Sequence, residues 1–384
     1  MNQAHHQPGG IYIHVPFCVR KCSYCDFYSC TNVNFISDYL AAVAAEIDMR
    51  PDSAFFADTI YFGGGTPSLL SPEDIKHLID WVCRRFDIAP GVEITMEVNP
   101  GTVTAQNLAA LRLAGVNRIN IGVQSFQNES LSFLTRIHSA EDSVRAVEAA
   151  CSAGFDNIGL DLIYGLPQQT ETMWEEDLRA AVHLNPRHLS CYMLTYEPGT
   201  RMTEHLHSGR FQALPEDQLA RLYALTLRFL AENGFFQYEV SNFSASFEIR
   251  SRHNQKYWSH APYLGFGPSA HSFNGNQRFW NVGSIEDYLE RIRRGQMPTE
   301  AKEDLTRPQL MMETLYLRLR CVDGISISGF ETRFDADFDG LFGAVITSCQ
   351  TEGLLQKNGD CVCLTQKGML FADGIASQFI DALN

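Results

Sequence analysis

Positive charge is scarce in this chain of 384 residues: 30 lysines and arginines stand against 45 aspartates and glutamates, a formal charge of −15. Nonspecific nucleic-acid binding needs clustered Lys and Arg to neutralise phosphates, so the balance argues against that class. Also lacking is any uninterrupted apolar run of about eighteen residues, the length that would span a bilayer. The opening Met1-Asn-Gln-Ala-His-His-Gln-Pro has neither the basic start nor the apolar centre of a secretory leader. A disulfide framework is not suggested either, because the 11 cysteines are spread thinly over a long chain. Reduced thiols in the cytoplasm are the natural reading. Hydrophobic side chains are plentiful, at 45%, with room for one large and one smaller globular unit.

From residue 10 to about 195, short β-like runs alternate with amphipathic segments. The expected strands are 11–15, 59–62, 92–98, 118–123, 157–163 and 188–194. Segment 35–49 places Ile36, Leu40, Val43 and Ile47 on one helical face. Ser71-Pro-Glu-Asp opens the next helix with a cap, a proline in the first turn and acids near the positive end of the dipole. Segments 104–114, 141–153 and 170–184 follow in the same style. Six such βα units imply a parallel sheet with right-handed crossovers. A flat doubly wound sheet and an incomplete barrel both satisfy that count.

Beyond Leu194 the rhythm stops. Residues 196–200 read as a turn, 215–233 as a long helix closed by Gly234, and 235–243 as one more strand. A short helix over 285–293 precedes a linker-like Gly295-Gln-Met-Pro-Thr. The tail reads as a helix over 307–319 with Met311, Met312, Leu315 and Leu319 inward as core filling, then helices over 326–334 and 338–352. A hairpin over 354–364 turns at Asn358-Gly359, with Cys361 and Cys363 as ordinary strand residues, before a last helix over 368–383. The expected division is a core over 1–240, a connecting region over 241–300 and a tail unit over 301–384.

Chemistry concentrates at strand ends. Cys18, Cys22 and Cys25, spaced C-x3-C-x2-C, follow the first strand. Three thiolates suit a [4Fe–4S] cluster whose fourth iron is open to an exogenous ligand. The alternatives are three unrelated buried cysteines or part of a zinc site. Zinc wants a fourth Cys or His at matching spacing, and neither Cys30 nor His14 fits a standard pattern. Gly63-Gly64-Gly65-Thr66 after the second strand lets backbone approach a ligand, or is only a tight corner. Glu97 ends the third strand. Gln124 and Asp161 are polar groups in apolar strands, costly to bury unpaired, and are expected to meet a ligand or each other. Arg136 reads plainly as a rim cation pairing with Glu129 or Glu141. In Arg252-His253-Asn254-Gln255-Lys256-Tyr257-Trp258, an imidazole between aromatics has the makings of a heme iron ligand, against the commoner role of a surface histidine. His271 is a secondary candidate.

The stretch Ile11 to Phe27 resembles the signature of radical S-adenosylmethionine (SAM) proteins, and Tyr12-Ile-His-Val-Pro-Phe narrows it. It is similar to the branch that holds oxygen-independent coproporphyrinogen III oxidase and the heme chaperone HemW, over nearly the whole chain. The resemblance implies an α/β fold: an open, partial (β/α)6 TIM-like barrel with its site at the C-terminal strand ends, and a C-terminal α+β winged-helix-like unit. At this net charge the tail unit suits packing or partner binding better than DNA. Cys18, Cys22 and Cys25 would hold the cluster. Tyr12, Gly64, Gly65, Thr66 and Glu97 match SAM-binding positions, and Tyr24, Gln124, Arg136 and Asp161 match contacts to a second SAM. His253, with Tyr257 and Trp258 in support, matches the heme motif H-N-x-x-Y-W. Two departures turn the resemblance away from the oxidase. Phe27 stands where oxidases carry a further cysteine, and only eleven residues precede Tyr12 where they have a longer extension. The implied role is a heme-binding and heme-delivering protein using a [4Fe–4S] cluster, SAM and heme. Its partners would be an acceptor protein, respiratory by resemblance, and an electron donor. Reductive SAM cleavage lies within the scaffold's scope; the alternatives are the oxidase itself and, more weakly, a methyltransferase.

Overall fold

The computed structural model describes residues 7–51 and 54–383; residues 1–6, read above for a leader, lie outside them. Strands β1 (Gly9–Val15), β2 (Phe56–Gly64), β3 (Asp87–Val98), β4 (Arg118–Gln124), β5 (Ile158–Tyr164) and β6 (His188–Met193) lie side by side in chain order, all parallel. Helices α1 (Ile36–Met49), α2 (Pro72–Arg85), α3 (Ala105–Ala114), α4 (Asn128–Phe133), α5 (Ala140–Ser152) and α6 (Glu171–His183) fill the crossovers. Sequential order without a reversal is the winding of a (β/α) barrel and not of a doubly wound sheet.

Local chemistry starts these elements where they start. Ser71 and Ser139 form capping boxes with Asp74 and Asp142, fixing the first turns of α2 and α5. The α2 stripe Ile75, Leu78, Ile79 and Val82 is buried, while β1 and β5 are buried on both faces, as parallel strands covered by helices must be. Ile11, Phe62, Met96, Ile121, Leu160 and Leu189 share one continuous core. After α7 (Arg201–His207), α8 (Glu216–Glu232) docks on α6, where buried Trp174 donates its indole N–H to Thr226 Oγ1 at 2.8 Å.

The sheet continues past β6. The expected strand over 235–243 is instead a tight hairpin, β7 (Phe236–Gln237) and β8 (Asn242–Ser244), with β8 antiparallel to β6. It breaks because Glu239, buried at the corner, accepts from the Ser241 N–H at 3.0 Å and from the Asn242 side chain. Next, α9 (Arg252–Trp258) closes the N-terminal end of the barrel. Arg252 reaches Asp58 at the start of β2, and the His253 N–H reaches Glu93 in β3. Strand β9 (Tyr263–Phe266) runs parallel to β1 on its outer side. The glycine-bearing stretch 263–271 thus lies largely beside the barrel mouth, with Gly267 packed on the His14 carbonyl. Strands β10 (His271–Phe273) and β11 (Gln277–Asn281), then α10 (Ile285–Arg293) and β12 (Thr299–Asp304), complete an open 12-stranded sheet with β7 and β12 at its edges. The expected connecting region over 241–300 is therefore part of the main sheet.

The tail is α+β as expected: α11 (Arg307–Leu319), β13 (Ile325–Ser326), α12 (Ile327–Phe334), α13 (Phe338–Thr351), β14 (Leu355–Asn358) and β15 (Cys361–Leu364), its three strands forming an antiparallel sheet. Phe330, Phe334, Phe338, Phe342 and Phe379 pack as its aromatic centre. Three details differ from expectation. Met312 is only half-buried. The two loop residues of the hairpin are Gly359 and Asp360, since Asn358 still pairs with Cys361. The last helix is split into α14 (Gln366–Met369) and α15 (Ala372–Asp381), because the chain leaves helical geometry at Phe371 (φ −116°).

Candidate functional site

One cavity of about 1400 Å³ runs through the barrel. Its C-terminal end is lined by Cys18, Cys22, Cys25, Tyr24, Phe27, Gly64, Gly65, Thr66, Glu97, Gln124 and Arg136. Asp161, Tyr12, His253, Tyr257 and Trp258 line it further down, so every residue matched to the cluster, SAM or heme borders the same space. Gly10 of β1 faces the His253 ring, with an added Cβ falling 3.0 Å from it, and Val15 leads into the cysteine loop. At about 3.3 Å per residue, those five steps of strand separate the two ends by roughly 17 Å.

Backbone and side-chain bonds fix the cysteine loop. The Cys18 N–H donates to the Cys30 carbonyl at 3.0 Å and the Cys30 N–H to the Pro16 carbonyl at 2.7 Å. Arg20 donates to the carbonyls of Thr135 (2.7 Å) and Arg136 (2.8 Å), and the Ser23 N–H to Thr135 Oγ1 at 2.8 Å, latching the loop to the segment after β4. Burial raises the Cys18 thiol and pushes Cys25 up to about 11. These thiols are neutral by themselves and become thiolates on a metal centre, whose charge deprotonates them. Among the described residues a fourth protein ligand is not at hand. Cys30 accepts from the Asn32 N–H at 3.3 Å outside the cavity. Both His14 nitrogens are engaged, by Tyr12 Oη at 3.1 Å and the Tyr28 carbonyl at 3.0 Å, and burial lowers its pKa to about 4. Among the described residues no three metal-ligating groups converge as on a single ion. Three thiols around one open space fit a cluster that spreads its ligands over separate irons.

The glycine run serves close approach. The N–H of Gly65 donates to the Val15 carbonyl (2.8 Å) and that of Thr66 to the Phe17 carbonyl (2.7 Å), so β2 ends against the cysteine loop. A Cβ on Gly64, at φ +107°, would sit 2.5 Å from the His14 ring, and one on Gly65 would sit 2.7 Å from the Phe17 carbonyl oxygen. Half-buried Glu97 accepts from Tyr61 Oη (2.8 Å) and the Gly64 N–H (3.2 Å), yet desolvation still pushes its carboxyl up to about 7. Asp161 does not meet Gln124: it accepts from Asn120 Nδ2 at 2.5 Å, and its Oδ1 is buried without a protein partner. Gln124 sits at φ +68°, a left-handed conformation unusual for a side-chain-bearing residue. The turn after it is pinned by Asp177, which accepts from Ser125 Oγ (2.8 Å) and the Phe126 N–H (2.7 Å).

The Arg136 guanidinium pairs with neither Glu129 nor Glu141; it turns inward to Cys22, Tyr24 and the Gly122 carbonyl. His253 is 1% exposed and not a surface residue. Its Nδ1 meets Thr59 Oγ1 at 2.8 Å, its Nε2 meets Tyr257 Oη at 3.0 Å, and Tyr61 stacks on it at 4.9 Å. Burial, then the charges of Lys256 and Arg118, lowers its pKa to about 3. Trp258 carries a buried indole N–H without a protein partner and lies under the Arg320 guanidinium. His271 is exposed and stacks on Trp280. Sequence reading passed over Tyr61, Arg118 and Asp177. Arg118 opens a strand and looks like a flanking surface cation, and Asp177 is one acid among several on α6.

Residues 12–181 match the Radical SAM superfamily and residues 305–371 match the HemN C-terminal domain. The superfamily implies a [4Fe–4S] cluster and SAM. The chain is 35% identical to the heme chaperone HemW of Bacillus subtilis, covering 97% of this chain and 99% of that one. It is also 35% identical to the HemW proteins of Mycobacterium tuberculosis (96% and 94% covered) and Escherichia coli (97% and 98%). The solved structure of E. coli coproporphyrinogen III oxidase (HemN), a radical SAM enzyme, superposes with a TM-score of 0.85 at 24% identity, covering 97% of this chain and 90% of that one. That likeness establishes the fold. With full-length identity to the chaperones above and this barrel around its three cysteines, the chain belongs to the HemW family of radical SAM proteins.

Proposed function

We propose that this protein is a heme chaperone, which binds heme and passes it to an acceptor protein. The carrying observation is the seat of the His253–Trp258 motif: it borders the cluster cavity, but at the opposite end of the barrel. Cys18, Cys22 and Cys25 hold the cluster in this reading. Tyr12, Gly64, Gly65, Thr66 and Glu97 surround SAM, and Gln124, Arg136, Asp161 and Tyr24 border the adjoining space, where a second SAM would lie. When bound, the cluster supplies the electron for reductive cleavage of SAM. His253 is the heme iron ligand, with Tyr257 and Trp258 beside it. The acceptor is a heme-requiring protein of respiratory type, and a separate donor supplies the electron. A reducing cytoplasm suits eleven free cysteines.

The test is anaerobic reconstitution, followed on one sample by heme titration and an assay for protoporphyrinogen formation from coproporphyrinogen III. Saturation near one heme per chain without protoporphyrinogen is the expected result. Product formation would replace this reading by the oxidase, whose extra cysteine is here Phe27, 65% exposed at the cavity.

SAM binding should also depend on pH through Glu97. In this reading Glu97 accepts a hydroxyl of the SAM ribose, and a hydroxyl donates best to an ionised carboxylate. With the carboxyl at about 7, SAM affinity should fall about tenfold from pH 8 to pH 6, as for any single group titrating near 7. Calorimetry should show that slope in the reconstituted protein and a flat profile in Glu97→Gln. The linked stability effect has the opposite direction: a raised carboxyl favours the fold at low pH, and that contribution is lost as pH climbs from the ordinary carboxylate range through about 7.

A further inference from the structure

We infer that Arg136 and Thr66 set the reduction potential of the cluster, by donating hydrogen bonds to two of its cysteine sulfurs. Arg136 Nη1 lies 3.7 Å from Cys22 Sγ, and Thr66 Oγ1 lies 3.5 Å from Cys18 Sγ. Both contacts are within the reach of a hydrogen bond to sulfur, and both come from outside the cysteine loop. The guanidinium carries a full charge with no carboxylate in contact: its bonds go to Cys22, Tyr24 and the Gly122 carbonyl, and its Nε is buried without a protein partner. A cation brought into a protein without a counter-anion is costly, and the negative charge of a thiolate-bound cluster is what this position offers it.

The placement is rigid. Arg136 Nη2 is anchored on the Gly122 carbonyl at 2.7 Å, and Arg20 ties the Thr135 and Arg136 backbone to the cysteine loop. On the other flank the Thr66 N–H is held by the Phe17 carbonyl. Donors to cluster sulfurs, and a positive charge beside them, favour the reduced cluster, which carries one more negative charge. Taking them away should therefore make the cluster harder to reduce. This inference rests on the cluster and not on heme delivery, so a failed heme titration leaves it standing.

The experiment uses the full chain, reconstituted anaerobically and reduced stepwise with dithionite, with the reduced cluster followed by electron paramagnetic resonance. It is run without SAM, then repeated with it. Without SAM, Arg136→Gln should lower the reduced-to-oxidised ratio at a fixed potential at least tenfold, a shift of about 59 mV for one electron. Thr66→Val should shift the same way by less, and Arg136→Lys should fall between wild type and Arg136→Gln. Wild-type midpoints in Arg136→Gln and Thr66→Val overturn the inference, whatever happens to SAM affinity, because a residue serving SAM alone would move only the measurement made with SAM. Should Arg136→Gln fail to hold four irons, Thr66→Val decides by itself: a wild-type midpoint there overturns the inference and a negative shift upholds it.

Discussion

A His253→Ala protein is expected to keep its cluster and lose stoichiometric heme. The side chain lies roughly 17 Å of strand away from the cysteine loop, and no contact of its ring reaches a cluster ligand, so iron and sulfide content should be unchanged. Heme loss follows from the state of the imidazole. Burial holds it neutral, at about 3, and the neutral ring is the form that ligates iron. Its two neighbours define the tautomer we assign: Nδ1–H donates to Thr59, leaving the Nε2 lone pair to accept from the Tyr257 hydroxyl. In the proposed role that hydroxyl would compete with iron for the same lone pair. Tyr257→Phe keeps the ring packed and removes the competitor, a hydrogen bond worth about 0.5–1.5 kcal/mol, so heme should bind roughly two- to twelvefold tighter. Both variants are read by anaerobic titration in the heme absorption band, with a melting curve as control because Ala leaves a hole beneath Tyr61. If His253→Ala titrates like wild type, the iron ligand lies elsewhere and the motif serves only to close the barrel.

The second large effect concerns Glu46, and it is structural. This carboxylate on α1 is fully buried. It receives Arg50 (3.2 Å), Asn281 Nδ2 (2.7 Å), the Gly267 N–H (2.9 Å) and Tyr288 Oη (2.7 Å), tying α1 to α10 and to the strands beyond β1. Burial raises its pKa against the pull of Arg50. Arg50, itself 4% exposed, stands between the rings of Phe266 and Phe279. Glu46→Ala removes the acceptor shared by four donors and leaves a buried guanidinium unpaired, which costs about 3–5 kcal/mol. Urea denaturation should show the midpoint falling accordingly, with Glu46→Gln losing less because its carbonyl still accepts. Equal midpoints for wild type and Glu46→Ala would mean the network contributes nothing net.

These two residues mark where sequence reading succeeds and where it stops. The six βα units were legible because apolar strands alternate with helical stripes, and α2, α3, α5 and α6 open on side-chain caps, signals that local chemistry writes directly. Strands β10 to β12 were not. Thr299–Asp304 is almost entirely polar, and it becomes a strand only because β11 supplies its hydrogen bonds. Glu46 looked like any acid on a helix, since three of its four partners lie more than two hundred residues away. In the site, the residue types of the motifs were readable, while their directions were not. Arg136 turns in toward sulfur and His253 turns in under Tyr61 because the barrel interior encloses them, and no spacing in the chain announces that.

An open sheet has two unpaired margins, and each offers backbone N–H and C=O groups to any passing strand. In this molecule one margin is β7, only two residues long. The other is β12, which alternates exposed Glu300, Lys302 and Asp304 with half-buried neighbours. A stranger laid alongside β12 would have to desolvate those charges, and alongside β7 it would find almost nothing to template on. The residues that left β12 invisible as a strand are thus the same ones that guard the molecule against growing, edge upon edge, into a fibre.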